Sequence, residues 1–238
     1  MDKRVVAKTF VELAGGLDGA LAPSALLRLL SDRCVRVLGA DAAGVLLADR
    51  AGELRLVAAS DEHVRLRELF EVQREEGPSL DCFRKGAAVA VPDVNTEARS
   101  RPRFVAQARR CGFTAVHALP LRCRNEVVGV LNLFCVEPRR LGPAGSHIAQ
   151  AMADVATASF VRQCAIRRGQ LVNEQLQTTL NDRIVIEQAK GKLAERLGVD
   201  MEQAFATLRG YAQSHRRRLP DAACDVIDDR VAPSAPRD

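Results

Sequence analysis

Residues 114–123, TAVHALPLRC, and residues 126–136, EVVGVLNLFCV, are two strongly apolar stretches joined by only Arg124 and Asn125. A two-residue connection is the commonest loop of a β-hairpin. Strands that carry apolar residues on both faces are buried on both faces. The hairpin therefore predicts two central strands of an antiparallel sheet.

Upstream of the hairpin, helical and strand patterns alternate. Pro23 begins a predicted helix that ends at Gly39. Two strands are predicted around the turn Asp49–Gly52, because β-branched and apolar residues flank a Gly-containing turn there. The remaining predicted elements are a helix at 61–74, a short helix within 76–86, a strand at 87–94 and a helix at 101–113. Helices placed between the strands of an antiparallel sheet are typical of an α+β domain.

Downstream of Pro143 the sequence shows only helical patterns. Residues 142–183 predict one long helix, interrupted at most near Gly169, and Asp200 and Pro220 begin two further helices. The predicted organisation is an α+β domain at 20–166, a helical linker at 167–175, a three-helix bundle at 176–230 and a disordered tail at 231–238.

Composition limits the classes of function. With 47% hydrophobic and 27% charged residues, the chain resembles ordinary globular proteins. It has no long apolar run and no signal-peptide pattern, which predicts a cytoplasmic protein without a membrane partner. Its seven cysteines lack the C-x-x-C spacing of zinc ribbons, so we expect mainly small core residues. No catalytic or metal-binding motif is present, and nothing in the sequence identifies a cofactor.

The helix at 183–199, RIVIEQAKGKLAERLGV, has two apolar stripes on opposite sides. Gly191 lies in the second stripe with Leu180 and Ile184, and a glycine inside a helix costs about 1 kcal/mol. We therefore expect another helix, or a second copy of the chain, to approach Gly191 closely. Lys190 is expected at the rim of the first stripe, near Arg209. The first stripe comprises Ile186, Ala189, Leu193 and Leu197, and we expect it to pack on Phe205 and Leu208.

Residues 185–227, VIEQAKGKLAERLGVDMEQAFATLRGYAQSHRRRLPDAACDVI, resemble the ANTAR domain, a three-helix RNA-binding module of bacterial antiterminators. The resemblance implies that RNA hairpins of leader transcripts are the partner, bound by a homodimer. The implied RNA-binding residues are Arg183, Lys190, Lys192, Arg196, Arg209, Tyr211, Arg216, Arg217 and Arg218. Two alternatives stay open: a solvated helix end for Arg216–Arg218, and a packing role for Tyr211. Net charge does not decide between them, because residues 181–238 hold ten basic and ten acidic residues.

The stretches DAAGVLLAD (41–49), EGPSLDCFRKG (76–86), VHALPLR (116–122) and EVVGVLNLF (126–134) resemble the GAF domain, a sensory module. The resemblance implies a small-molecule ligand, and we expect Ser79, Cys82 and His117 in its pocket. Ser79 and Lys85 depart from the cysteine and threonine that the family often has there. Cys82 is either a reactive thiolate near a helix start or a buried structural residue.

Two hypotheses of function follow. The first is a regulator without catalytic activity, in which a GAF domain receives a signal and an ANTAR domain controls transcription termination. The alternative is a thiol-dependent enzyme resembling the GAF-type reductases of free methionine sulfoxide, which would use Cys82, Cys111 and Cys123. The C-terminal helical module favours the first hypothesis, because a reductase has no need of it.

Overall fold

A five-stranded antiparallel sheet organises the first part of the chain. Its strands are β1 (Ala42–Ala48), β2 (Leu54–Ala59), β3 (Val89–Val91), β4 (Ala115–Cys123) and β5 (Glu126–Cys135), in the spatial order β2-β1-β5-β4-β3. The two strands of the apolar hairpin each have a neighbour on both sides. This confirms the prediction that they are central strands.

Helices make up most of the remaining chain: α1 (Lys3–Gly15), α2 (Pro23–Leu38), α3 (His63–Gln73), α4 (Pro78–Lys85), a 3-10 helix (Val94–Glu97), α5 (Pro102–Arg110), α6 (Pro143–Leu197), α7 (Met201–Ser214) and α8 (Leu219–Ile227). The structure is a computed structural model, and it describes residues 2–15, 22–60, 63–231 and 233. The chain divides into two units, Met1–Ile166 and Arg167–Asp238.

The sheet of the N-terminal unit has an apolar core on each face. Leu13 of α1, Leu30 of α2 and Met152 of α6 are fully buried on one face. On the other face, Phe70 of α3 and Phe104 of α5 pack with the strands and with α4. Helices on both faces of an antiparallel sheet confirm the α+β prediction for this unit.

Local sequence signals position these helices. Pro23 lies in the first turn of α2, and Gly39 ends the helix in the left-handed region with φ +65°, as predicted from the sequence. Gly44 in β1 has a different role. A β-carbon at this position would lie 2.5 Å from the Phe70 ring, so only glycine lets that ring pack flat on the strand.

The long helix α6 differs from the sequence prediction in one respect. It runs from Pro143 to Leu197 without a break at Gly169 and includes residues 183–197 of the helix predicted at 183–199. Among the helices of residues 2–15, 22–60 and 63–231, none has the length and apolar character needed to cross a membrane. Of the tail predicted to be disordered, only Val231 and Pro233 fall within the described residues.

Candidate nucleic-acid interface

The C-terminal unit packs the last turns of α6 against α7 and α8. The predicted stripe is confirmed: Ala189 and Leu193 are fully buried against Leu208 of α7, and Ile186 and Leu197 are partly buried beside them. Short side chains in this core let the three helices approach one another closely. The fully or almost fully buried core residues are Ala189, Leu193, Ala204, Leu208, Ala212, Ala222, Ala223 and Val226.

Asp200 fixes the start of α7. Its carboxylate accepts hydrogen bonds from the backbone N–H groups of Glu202 at 2.9 Å and Gln203 at 2.8 Å. These are two of the donors that a helix N-terminus leaves without a partner. The predicted helix start is confirmed, and α7 thereby presents a defined set of side chains to solvent.

The prediction that α7 or α8 approaches Gly191 closely is wrong. No heavy atom of the described residues lies within 4 Å of a β-carbon built on Gly191. The other members of its stripe are also uncovered, since Leu180 is 61% exposed and Ile184 is 55% exposed. The second stripe of α6 therefore has no partner within the part of the chain that the structure describes.

Lys190 lies at the rim of the helical core, but its nearest partner is acidic. Its ammonium nitrogen is 3.0 Å from both carboxylate oxygens of Glu187, one turn earlier. The same nitrogen lies 5.5 Å from the centroid of the Phe205 ring, within the range of a cation–π contact. These contacts fix the side chain, which is 17% exposed.

Lys192 and Arg196 contact the end of α8. Lys192 donates to the backbone carbonyl of Ile227 at 2.7 Å and lies 2.8 Å from the Asp229 carboxylate, which Arg196 also contacts. Hydrogen bonds from Lys192 and Arg196 lower the pKa of the Asp229 carboxyl from its usual 3.8. A cation at a helix C-terminus also complements the carbonyl groups exposed there. Both residues thus hold α8 in place.

Arg217 and Arg218 also have acidic partners. Arg217 contacts Asp225, whose side chain is only 6% exposed, and Arg230 lies 3.8 Å from the same carboxylate. Arg218 is 3.4 Å from Asp182 and 70% exposed, so its ion pair is weakly held. The buried carboxylate needs Arg217, which gives this arginine a structural role.

Three of the predicted RNA-binding arginines have no such partner. Arg183 of α6, Arg209 of α7 and Arg216 after α7 are exposed. Within the described residues, none of the three forms an ion pair. A guanidinium group without an acidic partner can receive a phosphate without first breaking an ion pair. The sequence could not separate these three arginines from the paired cations, because pairing depends on neighbours far along the chain.

Tyr211 is partly buried on α7, and its ring stacks on the ring of His215 with centroids 4.2 Å apart. His215 was not among the predicted RNA-binding residues. Its spacing of four positions from the single tyrosine was the available signal, because residues i and i+4 lie on one face of a helix.

In the N-terminal unit, Ser79 belongs to a buried polar cluster. Its hydroxyl contacts the Gln73 amide oxygen and lies 2.8 Å from the Asn132 amide oxygen. One hydroxyl donates one proton, so turning the Asn132 amide over would let its NH₂ donate to Ser79 instead. All three side chains are fully buried. Sequence reasoning missed Gln73 and Asn132, although an asparagine within the apolar run VLNLF was a signal.

The predicted pocket of Ser79, Cys82 and His117 does not form one site. Cys82 packs in the core of the α3–α5 face, whereas His117 lies on the same side of β4 as Ala115 and Leu119, which face the opposite core. The His117 Nε2 atom bonds the carbonyl oxygen of Arg139 at 3.0 Å, and burial lowers the pKa of the ring. His117 is therefore a neutral residue with a hydrogen-bond partner, on the other side of the sheet.

The cysteines do not fit thiol catalysis. Cys82 is fully buried, and desolvation raises the pKa of its thiol to about 12, so it stays protonated at neutral pH. Of the two alternatives for Cys82, burial and the raised pKa favour the structural one. Cys111 is also buried, and Cys123 is partly exposed. This arrangement weighs against the reductase hypothesis.

Comparison with known proteins supports both resemblances. Residues 20–160 match the sequence model of the GAF domain, and residues 174–227 match that of the ANTAR domain. No curated protein sequence gives a significant match to the chain.

Several solved structures share the fold of the N-terminal unit. The GAF domain of a phosphoenolpyruvate-protein phosphotransferase from Coxiella burnetii has a TM-score of 0.55 at 16% identity, covering 71% of this chain and 99% of that one. The corresponding domain from Acinetobacter has a TM-score of 0.53 at 12% identity, and the match covers 70% of this chain and 98% of that one. The free methionine-R-sulfoxide reductase of Neisseria meningitidis has a TM-score of 0.53 at 15% identity, and the match covers 70% of this chain and 95% of that one.

At these identities the structural matches show the fold alone. The matched sequence models carry more information, because the GAF match spans more than half of the chain and an ANTAR match follows it. That combination is typical of RNA-binding regulators with a sensory domain rather than of enzymes. The chain therefore belongs to the GAF domain family and has the GAF–ANTAR architecture.

Proposed function

We propose that this protein is a cytoplasmic, signal-responsive regulator whose ANTAR domain binds hairpins in nascent leader transcripts and controls transcription termination. The observation that carries the proposal is the set of exposed arginines without ion pairs, Arg183, Arg209 and Arg216. Phosphate contacts from arginine and lysine supply most of the affinity for nucleic acid. Lys190 adds a cation that Glu187 and Phe205 hold in one position.

Substitutions can separate RNA contacts from structural cations. We expect Arg209→Ala and Arg216→Ala to weaken binding of a leader hairpin and leave the unfolding temperature unchanged. The slope of log affinity against log salt should shrink by roughly 0.7–0.9 for each phosphate that the variant no longer neutralises. Lys192→Ala is the matched control, because Lys192 contacts Asp229 and should change stability more than the salt slope. Equal salt slopes for all three variants would contradict the proposal.

Lys190 needs a variant that keeps its packing. Lys190→Met retains an apolar stem of similar length over Phe205 but removes the charge. We expect this variant to bind the hairpin more weakly than wild type at the same unfolding temperature. Wild-type affinity together with a lowered unfolding temperature would assign Lys190 a structural role.

A homodimer is part of the proposal, and the uncovered side of α6 supports it. Leu176, Leu180 and Ile184 are each more than half exposed and lie on one side of the helix. Exposed apolar stripes of this kind mark interaction surfaces, and a second copy would supply two RNA-binding modules for paired hairpins. Leu171 is as exposed as Leu180, but it lies about half a turn away and so falls outside this stripe.

Sedimentation tests the dimer directly. Leu180→Glu should convert the protein to a monomer, because an unpaired carboxylate at an apolar interface is costly. Leu171→Glu, on the opposite side of the helix, should leave the dimer intact. A wild-type monomer at micromolar concentration, or equal effects of the two substitutions, would remove this part of the proposal.

A small-molecule ligand of the GAF domain is also proposed, at a cavity that His117 lines but Ser79 and Cys82 do not. A cavity of about 280 Å³ lies beside the β3 edge of the sheet, lined by the side chains of Leu119 and Leu141 and, among its polar groups, by Arg122 and His147. Apolar walls with a few polar groups are typical of ligand sites. The dye 1-anilinonaphthalene-8-sulfonate should bind here, and Ala90→Phe should reduce its fluorescence by filling the cavity. Unchanged fluorescence in that variant would exclude the site.

A further inference from the structure

The surface of α7 contains a cavity of about 320 Å³. Most of its walls are short or neutral side chains, with two rings among them. Its lining includes Ala206, Thr207, Gly210, Tyr211, Ser214 and His215. Ligand pockets span roughly 300–1,000 Å³, so this volume lies at the lower end of that range and suits one planar group.

The two rings in the cavity form a fixed stack. Tyr211 and His215 are 4.2 Å apart with 30° between their planes. The His215 Nδ1 atom lies 3.0 Å from the carbonyl oxygen of Tyr211, which orients the imidazole along the helix. An oriented aromatic stack loses little side-chain entropy when a third ring adds to it.

The cavity is open and has few ionisable groups in its walls. A β-carbon built on Gly210 would meet no heavy atom of the described residues within 4 Å. Among the residues that the structure describes, no acidic or basic side chain lines the cavity apart from His215, and Pro233 also lines it. Arg209 and Arg216 adjoin Gly210 and His215 in the sequence, and both are exposed. An aromatic cavity with exposed arginines next to it in the sequence matches a nucleotide, whose base is planar and whose phosphate is anionic.

We propose that this cavity binds one unpaired nucleobase of the RNA, stacked on the Tyr211–His215 pair, while Arg209 and Arg216 contact the adjoining phosphates. The inference rests on the proposed function, namely that the ANTAR domain binds RNA. Proteins recognise RNA mainly at unpaired loop bases, which stack on aromatic side chains. One base–aromatic stack contributes about 1–3 kcal/mol.

The composition of the chain supplies a direct probe. Tyr211 is the single tyrosine, and the protein has no tryptophan, so its intrinsic fluorescence comes from this one ring. Single-stranded oligoadenylate should quench that emission after correction for absorption by the RNA. Inorganic polyphosphate and a blunt RNA duplex should bind through the arginines but leave the emission unchanged. Quenching by all three probes to the same extent would overturn the base assignment.

Three variants separate stacking from structure. Tyr211→Leu should weaken binding of oligoadenylate by roughly 5- to 150-fold, the loss expected for one stack, whereas Tyr211→Phe keeps the ring and should stay close to wild type. Gly210→Leu should block the cavity with a similar loss. Its unfolding temperature should not fall, because leucine is the better helix former and the position is open.

The outcomes distinguish this inference from the proposed function. Anisotropy of labelled oligoadenylate and of the leader hairpin reports binding independently of the tyrosine. If the wild-type protein binds both RNAs and Gly210→Leu binds them equally well, the cavity does not bind a base. The proposed RNA-binding function is then unaffected. If neither RNA binds, the proposed function fails first. If Gly210→Leu alters sedimentation and not RNA affinity, the cavity is a protein contact and the inference is wrong.

Discussion

Each of the two units of this protein has its own core, and the two cores differ in the side chains that fill them. In the N-terminal unit, large rings fill the space under the sheet, and Phe70 and Phe113 lie 5.5 Å and 5.1 Å from Phe134, centroid to centroid. In the C-terminal unit most of the fully buried side chains are alanines. Alanine buries little apolar area, so each helix contact there contributes less to stability.

Charged contacts compensate for the small core of the C-terminal unit. Arg217 contacts the buried Asp225, and Lys192 bridges α6 to the end of α8 at Ile227 and Asp229. We infer that the packing of large apolar side chains provides most of the stability of the N-terminal unit. Ion pairs contribute a larger share of the stability of the C-terminal unit. Among the described cations of the C-terminal unit that form no ion pair, Arg183, Arg209 and Arg216 are the ones proposed to bind RNA.

The largest expected effect is in the aromatic core. Phe134→Ala should lower the free energy of unfolding of the N-terminal unit by about 3–5 kcal/mol, because it leaves a cavity under the sheet. Circular dichroism should show this loss. The unfolding transition measured by Tyr211 fluorescence, which reports on the C-terminal unit alone, should stay the same as in wild type. A parallel loss in the tyrosine transition would contradict the separate contributions of the two cores.

The next effect is at the buried carboxylate. Asp225→Asn keeps the shape of the side chain but removes the charge that Arg217 contacts. We expect the tyrosine transition to lose about 1.5–3 kcal/mol, the usual contribution of a hydrogen bond to a charged group. Asp221→Asn is the matched control on α8, because Asp221 is exposed. Equal losses of unfolding free energy in the two variants would show that the buried Arg217–Asp225 pair contributes no more than an exposed carboxylate.

Gly191 gives a smaller effect of opposite sign. Because no atom of the described residues outside the surrounding helix backbone lies within 4 Å of its β-carbon position, Gly191→Ala should stabilise the C-terminal unit by about 0.5–1 kcal/mol through helix propensity. The tyrosine transition in urea would measure this gain. A loss of stability would indicate a close contact at Gly191, as the sequence suggested, and a second copy of the chain would have to supply it.

The smallest expected effect is the pH dependence from Asp229. Lys192 and Arg196 lower the pKa of this carboxyl in the folded state. The stabilisation is therefore complete above the ordinary value of 3.8 and is lost as the pH falls below it through the lowered pKa. Asp229→Asn should show a weaker dependence on pH in that window. Identical acid profiles for the variant and wild type would exclude this contribution.

The sequence by itself determined the elements and their buried faces. The apolar hairpin predicted the central strands, and the stripe of Ala189 and Leu193 predicted the core of the C-terminal unit, because periodicity is a local property of the chain. It also determined the family, since the matching segments are continuous in sequence. The exact domain boundaries and the residues that contact RNA remain predictions.

Only the tertiary structure decided which cations are paired and which side of the sheet each residue faces. Lys192 of α6 contacts Asp229, which follows α8, and Arg217, which precedes α8, contacts Asp225 within it, so no local pattern distinguishes them from Arg209. His117 lies on the face of the sheet opposite Cys82 because its register in β4 sets its side. The space at Gly191 depends likewise on where the neighbouring helices pass, and the cavity beside Tyr211 depends on where Pro233 lies against α7. Both are fixed by packing and not by sequence spacing.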